Sequence, residues 1–163
     1  MDLEMNGYEV LEIAERIERN GSRFYRRAAA ICTAPSLSTL LVELAQWESQ
    51  HIKVFKDMKE RSIEQKWEIG DLAPDRVGSL DARALAGLAV FGIQPNPADE
   101  LTGHESRADI LRLAIEKEKD SIVYYTGLKD LMPYEQDRKV VEEIIQEEMR
   151  HVRILSQSLE QTE

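Results

Sequence analysis

Glu-x-x-His occurs twice in this chain, as Glu48-Ser-Gln-His51 and Glu148-Met-Arg-His151, and each copy interrupts a run of apolar residues spaced alternately four and three apart. Leu37, Leu41, Leu44, Glu48, His51, Phe55 and Met58 form one run; Val141, Ile144, Glu148, His151 and Leu155 form the other, one hundred positions on. Positions three and four apart share a face of an α-helix. The glutamate and histidine of each tetrad therefore point where the leucines and isoleucines point, into a seam that must be buried if the helices are to pack. Few folds tolerate a carboxylate at such a position.

The same register links two more glutamates. Glu18 follows Leu11 and Ala14 and precedes Tyr25; Glu118 follows Leu111 and Ala114 and precedes Tyr125, at matching distances. All four carboxylates are thus predicted to face one core. An unpartnered buried carboxylate costs several kcal/mol even after relaxation, so four would exceed the roughly 5–15 kcal/mol net stability of a typical domain. Lysine and arginine are scarce on these seams, which leaves divalent cations to neutralise them, with the imidazoles completing the shell. A glutamate from each of two helices plus a Glu-x-x-His from each of two others is the ligand set of a carboxylate-bridged two-metal centre in a four-helix bundle.

The rest of the pattern agrees. A first helix runs from about Val10 through Ala29 to the breaker Ala34-Pro35, and Pro35 is tolerated in the first turn of a second. A third starts near Thr102 to Ser106, with Thr102-x-x-Glu105 as a possible capping box, and ends near Leu131; Pro133 opens the fourth. Between the halves, residues 66 to 104 carry Gly70, Pro74, Gly78, Pro95 and Pro97 around a short apolar stretch, Ala84 to Phe91. The prediction is an all-α, four-helix bundle over residues 1–163 as one domain. Two antiparallel helix hairpins are joined by a long crossover containing a short helix, which is the ferritin-like connection.

Composition excludes several alternatives. A formal net charge of −10, without clustered Lys and Arg, argues against nucleic acid. One cysteine, Cys32, permits no internal disulfide and no Cys-x-x-Cys metal site. The first residues, Met1-Asp-Leu-Glu-Met-Asn, show neither a basic leader nor an apolar run, so no signal peptide or membrane span is expected and the predicted location is cytoplasmic. His104 lies in a linker without a seam and reads as a surface histidine, and Cys32 as a small packing residue near a helix end. Lys117 adjoins Glu118 and Arg150 adjoins His151 in sequence, but both should point elsewhere. Glu142, Glu143 and Glu147 read as solvated faces. Tyr25 and Tyr125 can be plain core aromatics, but their polar tips suit a hydrogen bond to a buried glutamate.

Three stretches carry a family resemblance: Ile17-Glu18-Arg-Asn-Gly-Ser-Arg-Phe-Tyr25, Glu43-Leu-Ala-Gln-Trp-Glu48-Ser-Gln-His51-Ile-Lys-Val-Phe55, and Ala114-Ile-Glu-Lys-Glu118-Lys-Asp-Ser-Ile-Val-Tyr-Tyr125. They resemble the ferritin-like domain of the rubrerythrin family, over essentially the whole chain. The resemblance implies two iron ions, with Mn or Zn as possible substitutes, held by Glu18, Glu48, His51, Glu118, Glu148 and His151, the second glutamate of each half bridging. It implies an oxidoreductase reducing hydrogen peroxide or dioxygen, acting as a homodimer. No Cys-rich rubredoxin domain is present in the sequence, so electrons would come from a separate rubredoxin-like donor protein. Many rubrerythrins carry a further glutamate one turn after the third-helix ligand; here that position is Ser121, which suggests a more symmetric six-ligand site. A ferroxidase, iron-storage or metal-handling role is the alternative for the same ligand set.

Overall fold

Four long helices follow from these seams in the computed structural model, which describes residues 6–67 and 96–162. They are α1 (Gly7–Ile31), α2 (Pro35–Glu64), α3 (Arg107–Leu131) and α4 (Glu135–Glu160). A single turn of 3-10 helix, Pro97–Glu100, precedes α3 and packs against α1. Among the described residues there is no strand, and no helix is long and apolar enough to cross a membrane. The short crossover helix expected over Ala84 to Phe91 lies outside the described residues.

The helix starts show how local chemistry sets the boundaries. Asn6 caps α1 through a reciprocal capping box with Glu9: the Glu9 N–H donates to Asn6 Oδ1 at 3.0 Å and the Asn6 N–H to Glu9 Oε2 at 2.8 Å. Pro35 takes the first turn of α2, where its missing N–H leaves nothing unsatisfied. The cap of α3 differs from the expected one. Ser106 and Asp109 form the box, while Glu105 instead accepts from Thr102 and Gly103 and closes a turn just before the helix. Helix α4 begins two residues after Pro133, with Tyr134 as N-cap. Arg138 Nη1 donates to the carbonyls of Met132 and Pro133 and ties down that corner.

Links of three residues, 32–34 and 132–134, force α1 against α2 and α3 against α4 as antiparallel hairpins. The apolar faces meet in two separate clusters. One holds Val10, Leu11, Ala14, Ile17, Phe55, Met58, Tyr124, Tyr125, Leu128 and Val141. The other holds Phe24, Tyr25, Leu37, Leu41, Leu44, Leu111, Ala114 and Leu155. Each fully buried aliphatic or aromatic side chain contributes about 1.5–3 kcal/mol, so both layers strongly favour the bundle. Between them, along every helix, comes a polar layer.

Candidate metal centre

That layer consists of Glu18, Glu48, His51, Glu118, Glu148 and His151, none more than 4% exposed. The structure brings together all six residues singled out by the repeat. They fall into two sets, Glu18, Glu48, His51 and Glu148 in one and Glu48, Glu118, Glu148 and His151 in the other, with the donor atoms of each set all within 4.8 Å of one another. Glu48 and Glu148 belong to both. Glu148 spans them visibly: its Oε1 lies 2.9 Å from His51 Nδ1 and its Oε2 lies 3.2 Å from His151 Nδ1. Glu18 Oε2 stands 3.4 Å from His51 Nδ1, and Glu118 Oε2 stands 3.6 Å from His151 Nδ1. Both imidazoles thus turn the same ring nitrogen inward.

The outer oxygens are already committed. Tyr25 on α1 donates to Oε1 of Glu118 on α3, and Tyr125 on α3 donates to Oε1 of Glu18 on α1. Each glutamate is thereby anchored from behind by the opposite half, leaving its Oε2 directed at the centre. Burial, reinforced by Glu118, pushes the Tyr25 hydroxyl well above its ordinary pKa, and burial with Glu18 does the same to Tyr125. Both stay donors.

Whether cations fit is decided by the inner atoms. Glu18 Oε2 and Glu48 Oε1 are buried without a hydrogen-bond partner, although buried polar atoms normally have one. These atoms converge on the shared volume. Oxygen-rich carboxylate sets with one imidazole per metal suit Fe, Mn or Zn.

Without cations, protons take their place. Burial and then the charges of Glu18 and Glu148 push the Glu48 carboxyl well above its usual range. Burial and the neighbouring Glu148 do the same to Glu118. Glu148 goes the other way: burial opposes its ionisation, but hydrogen bonds from Glu118, His151 and His51 hold it below the ordinary carboxylate range. So the proton of that pair sits on Glu118. Burial alone would lower both histidines, yet Glu18 and Glu148 lift His51 to about 12, and Glu118 and Glu148 lift His151 to about 9.

Of the remaining sequence expectations, His104 is exposed and Cys32 ends α1 half-buried. Ser121 is buried but donates to the Lys117 carbonyl at 3.0 Å, back onto its own helix. Lys117 turns away to Glu100, at 2.7 Å, and lies over the Phe24 ring. Glu147 corrects the solvated-face reading. Its Oε2 accepts from His51 Nε2 at 2.8 Å, because α4 brings it over the back of the imidazole. Two further residues carry no motif. The Trp47 ring stacks on His151 with centroids 4.9 Å apart. Gly21 admits Glu48, since a Cβ there would stand 2.6 Å from Glu48 Oε2.

No protein-family model and no curated protein matches the chain. A crystal structure from Thermotoga maritima does, with 26% identity over 100% of both chains and a TM-score of 0.74; that molecule is described as a ferritin-like diiron-carboxylate protein. This chain has the ferritin-like fold. The likeness extends along the full length of both molecules and agrees with a bundle whose middle layer is two candidate metal-binding clusters.

Proposed function

We propose that the protein is a di-iron carboxylate oxidoreductase of rubrerythrin type that reduces hydrogen peroxide or dioxygen with electrons from a separate donor protein. The observation that carries this reading is the pair of buried sets sharing Glu48 and Glu148, with the unpartnered oxygens of Glu18 and Glu48 turned inward. Two iron ions held there by Glu18, Glu48, His51, Glu118, Glu148 and His151 would supply the two electrons that, with two protons, convert hydrogen peroxide to two waters.

The protein's part is to hold. Glu48 and Glu148 belong to both sets, so each would serve both cation positions. Glu18 and Glu118 are restrained by Tyr125 and Tyr25 and keep their places. His51 and His151 anchor one position each. The apolar layers on either side exclude water, which strengthens every charge interaction between them.

The test begins with protein freed of metal and titrated anaerobically with Fe(II). Two equivalents should bind, and the reduced, loaded protein should be oxidised rapidly by stoichiometric peroxide. Indifference to both peroxide and dioxygen would refute the oxidoreductase reading. Continued oxidation of many Fe(II) equivalents, with ferric iron accumulating, would instead support an iron-handling role.

A further inference from the structure

The two halves repeat the ligand pattern but differ at the residue just before each Glu-x-x-His: Trp47 in the first and Glu147 in the second. Both side chains reach across to the histidine of the opposite hairpin. Glu147, 44% exposed at its side chain, accepts from His51 Nε2 at 2.8 Å. That bond places a proton on Nε2, fixes the ring plane and turns Nδ1 toward Glu18, Glu48 and Glu148. Trp47 meets His151 face to face, with ring planes 10° apart. A stacked indole confines the imidazole but accepts no proton from it. Among the described residues, the carboxylates around His151, those of Glu48, Glu118 and Glu148, all approach its Nδ1 and none its Nε2.

A carboxylate on the far nitrogen of a metal-ligating histidine sets the tautomer and raises ligand basicity, and removing such a partner commonly lowers metal affinity 10–100-fold. We propose that the two metal positions are unequal: the His51 set takes the first cation, with Glu147 as its positioning residue, and the His151 set under Trp47 takes the second and releases it first. The ordering rests on the two-cation reading above. It gives the bundle one retained metal and one exchangeable metal, although the inner ligands of the two halves are the same.

With only three histidines in the chain, each can be followed separately. The full chain, labelled with [15N]histidine and freed of metal, would be titrated with Zn(II) alone while the imidazole nitrogen signals are recorded, with His104 as internal reference. The first equivalent should move the His51 Nδ1 signal and the second that of His151, with affinities at least about 10-fold apart. Glu147→Ala should lower the first affinity about 10–100-fold and abolish the order, and Glu147→Gln, which keeps an acceptor without the charge, should fall between. Far-UV circular dichroism of the metal-free variants should match that of the parent, so that a lost order is not a lost fold. Simultaneous movement of both signals in the parent, or an order that survives Glu147→Ala, would overturn the inequality. If neither signal moves with Zn(II), the two-cation centre itself fails, an outcome distinct from simultaneous filling.

Discussion

Replacing Gly21 by alanine should separate the stability of this bundle from its capacity to hold metal. Gly21 lies inside α1, where a glycine costs a helix about 0.5–1 kcal/mol relative to alanine, and where nothing in the helix itself requires one. The Glu48 carboxylate occupies the space. An alanine Cβ would stand 2.6 Å from Glu48 Oε2 and 3.1 Å from its Cδ, whereas ordinary contact begins at 3.4 Å, so the carboxylate must retreat by about 0.8 Å. Metal–ligand distances tolerate only about 0.2 Å. Because Glu48 belongs to both sets, one added methyl disturbs both positions.

In the metal-free protein the far end of a glutamate side chain can swing aside, so the helix-propensity gain should survive there. The expected melting temperature is unchanged or raised by up to about 4 °C, the shift that about 1 kcal/mol produces in a domain of this size. With Zn(II) the sign reverses. A tenfold loss of affinity removes about 1.4 kcal/mol of ligand-linked stabilisation per site, so Gly21→Ala should gain visibly less from saturating metal than the parent does. Calorimetric titration with paired melts, with and without Zn(II), measures both effects. Ser121→Ala is the control: the matching position of the second half already carries a Cβ, and the hydroxyl it loses bonds only to its own helix. If Gly21→Ala binds two equivalents within about twofold of the parent affinity, the claim that Glu48 is held in place by the missing side chain is wrong.

Metal stoichiometry should sort the glutamates by set: Glu18→Ala and Glu118→Ala should each retain one of two Zn(II) equivalents, and Glu48→Ala should retain none at micromolar metal, as read by equilibrium dialysis. Tyr25→Phe removes the donor behind Glu118 and should weaken the His151 position about 10-fold or more while sparing the other; equal weakening of both would show that the tyrosine acts on packing alone. Metal-free protein should lose stability as pH rises from 6 to 9. His151 and His51 have folded values near 9 and 12, Glu48 and Glu118 are also raised, and each therefore holds in the folded state a proton that the unfolded chain releases above about 6.5 or 4.5. The slope approaches about 1.4 kcal/mol per pH unit per proton, the lowered Glu148 acts only below its unfolded value, and a melting temperature that is flat or rising over that window would refute the assignment.

The inner layer was legible in the sequence because it breaks a rule that is otherwise kept. Glu48, His51, Glu148 and His151 stand where the seam calls for leucine, and a helical period of 3.6 leaves no other face for them. Glu147, Trp47 and Gly21 were not legible for the opposite reason: each is ordinary for its own helix, and its role arises only from what the facing helix brings within reach. A half-exposed glutamate beside a seam looks like any solvated acid. The signal that was present is the mismatch across the repeat, Trp47 against Glu147 and Gly21 against Ser121, four residues bordering a layer whose other members agree. Boundaries were less legible still. Both Thr102-x-x-Glu105 and Ser106 with Asp109 can cap, and only the three-dimensional path of the chain into α3 selects the second.

Four carboxylates in one buried layer call for positive charge, but the fold does not have to wait for metal to supply it. Protons on His51 and His151 and on the carboxyls of Glu48 and Glu118 relieve most of the repulsion, and none of them requires the helices to move. What metal would displace is therefore protons rather than structure, so affinity should climb with pH as the protons become easier to remove. The tyrosines make that exchange possible. Tyr25 and Tyr125 hold the outer oxygens of Glu118 and Glu18 whichever cation lies inside, because burial keeps both hydroxyls protonated far above neutral pH. The inward oxygens are consequently aimed before a metal arrives, and the ordering entropy that a looser acidic cluster would lose on binding has already been lost in folding the two apolar layers around it.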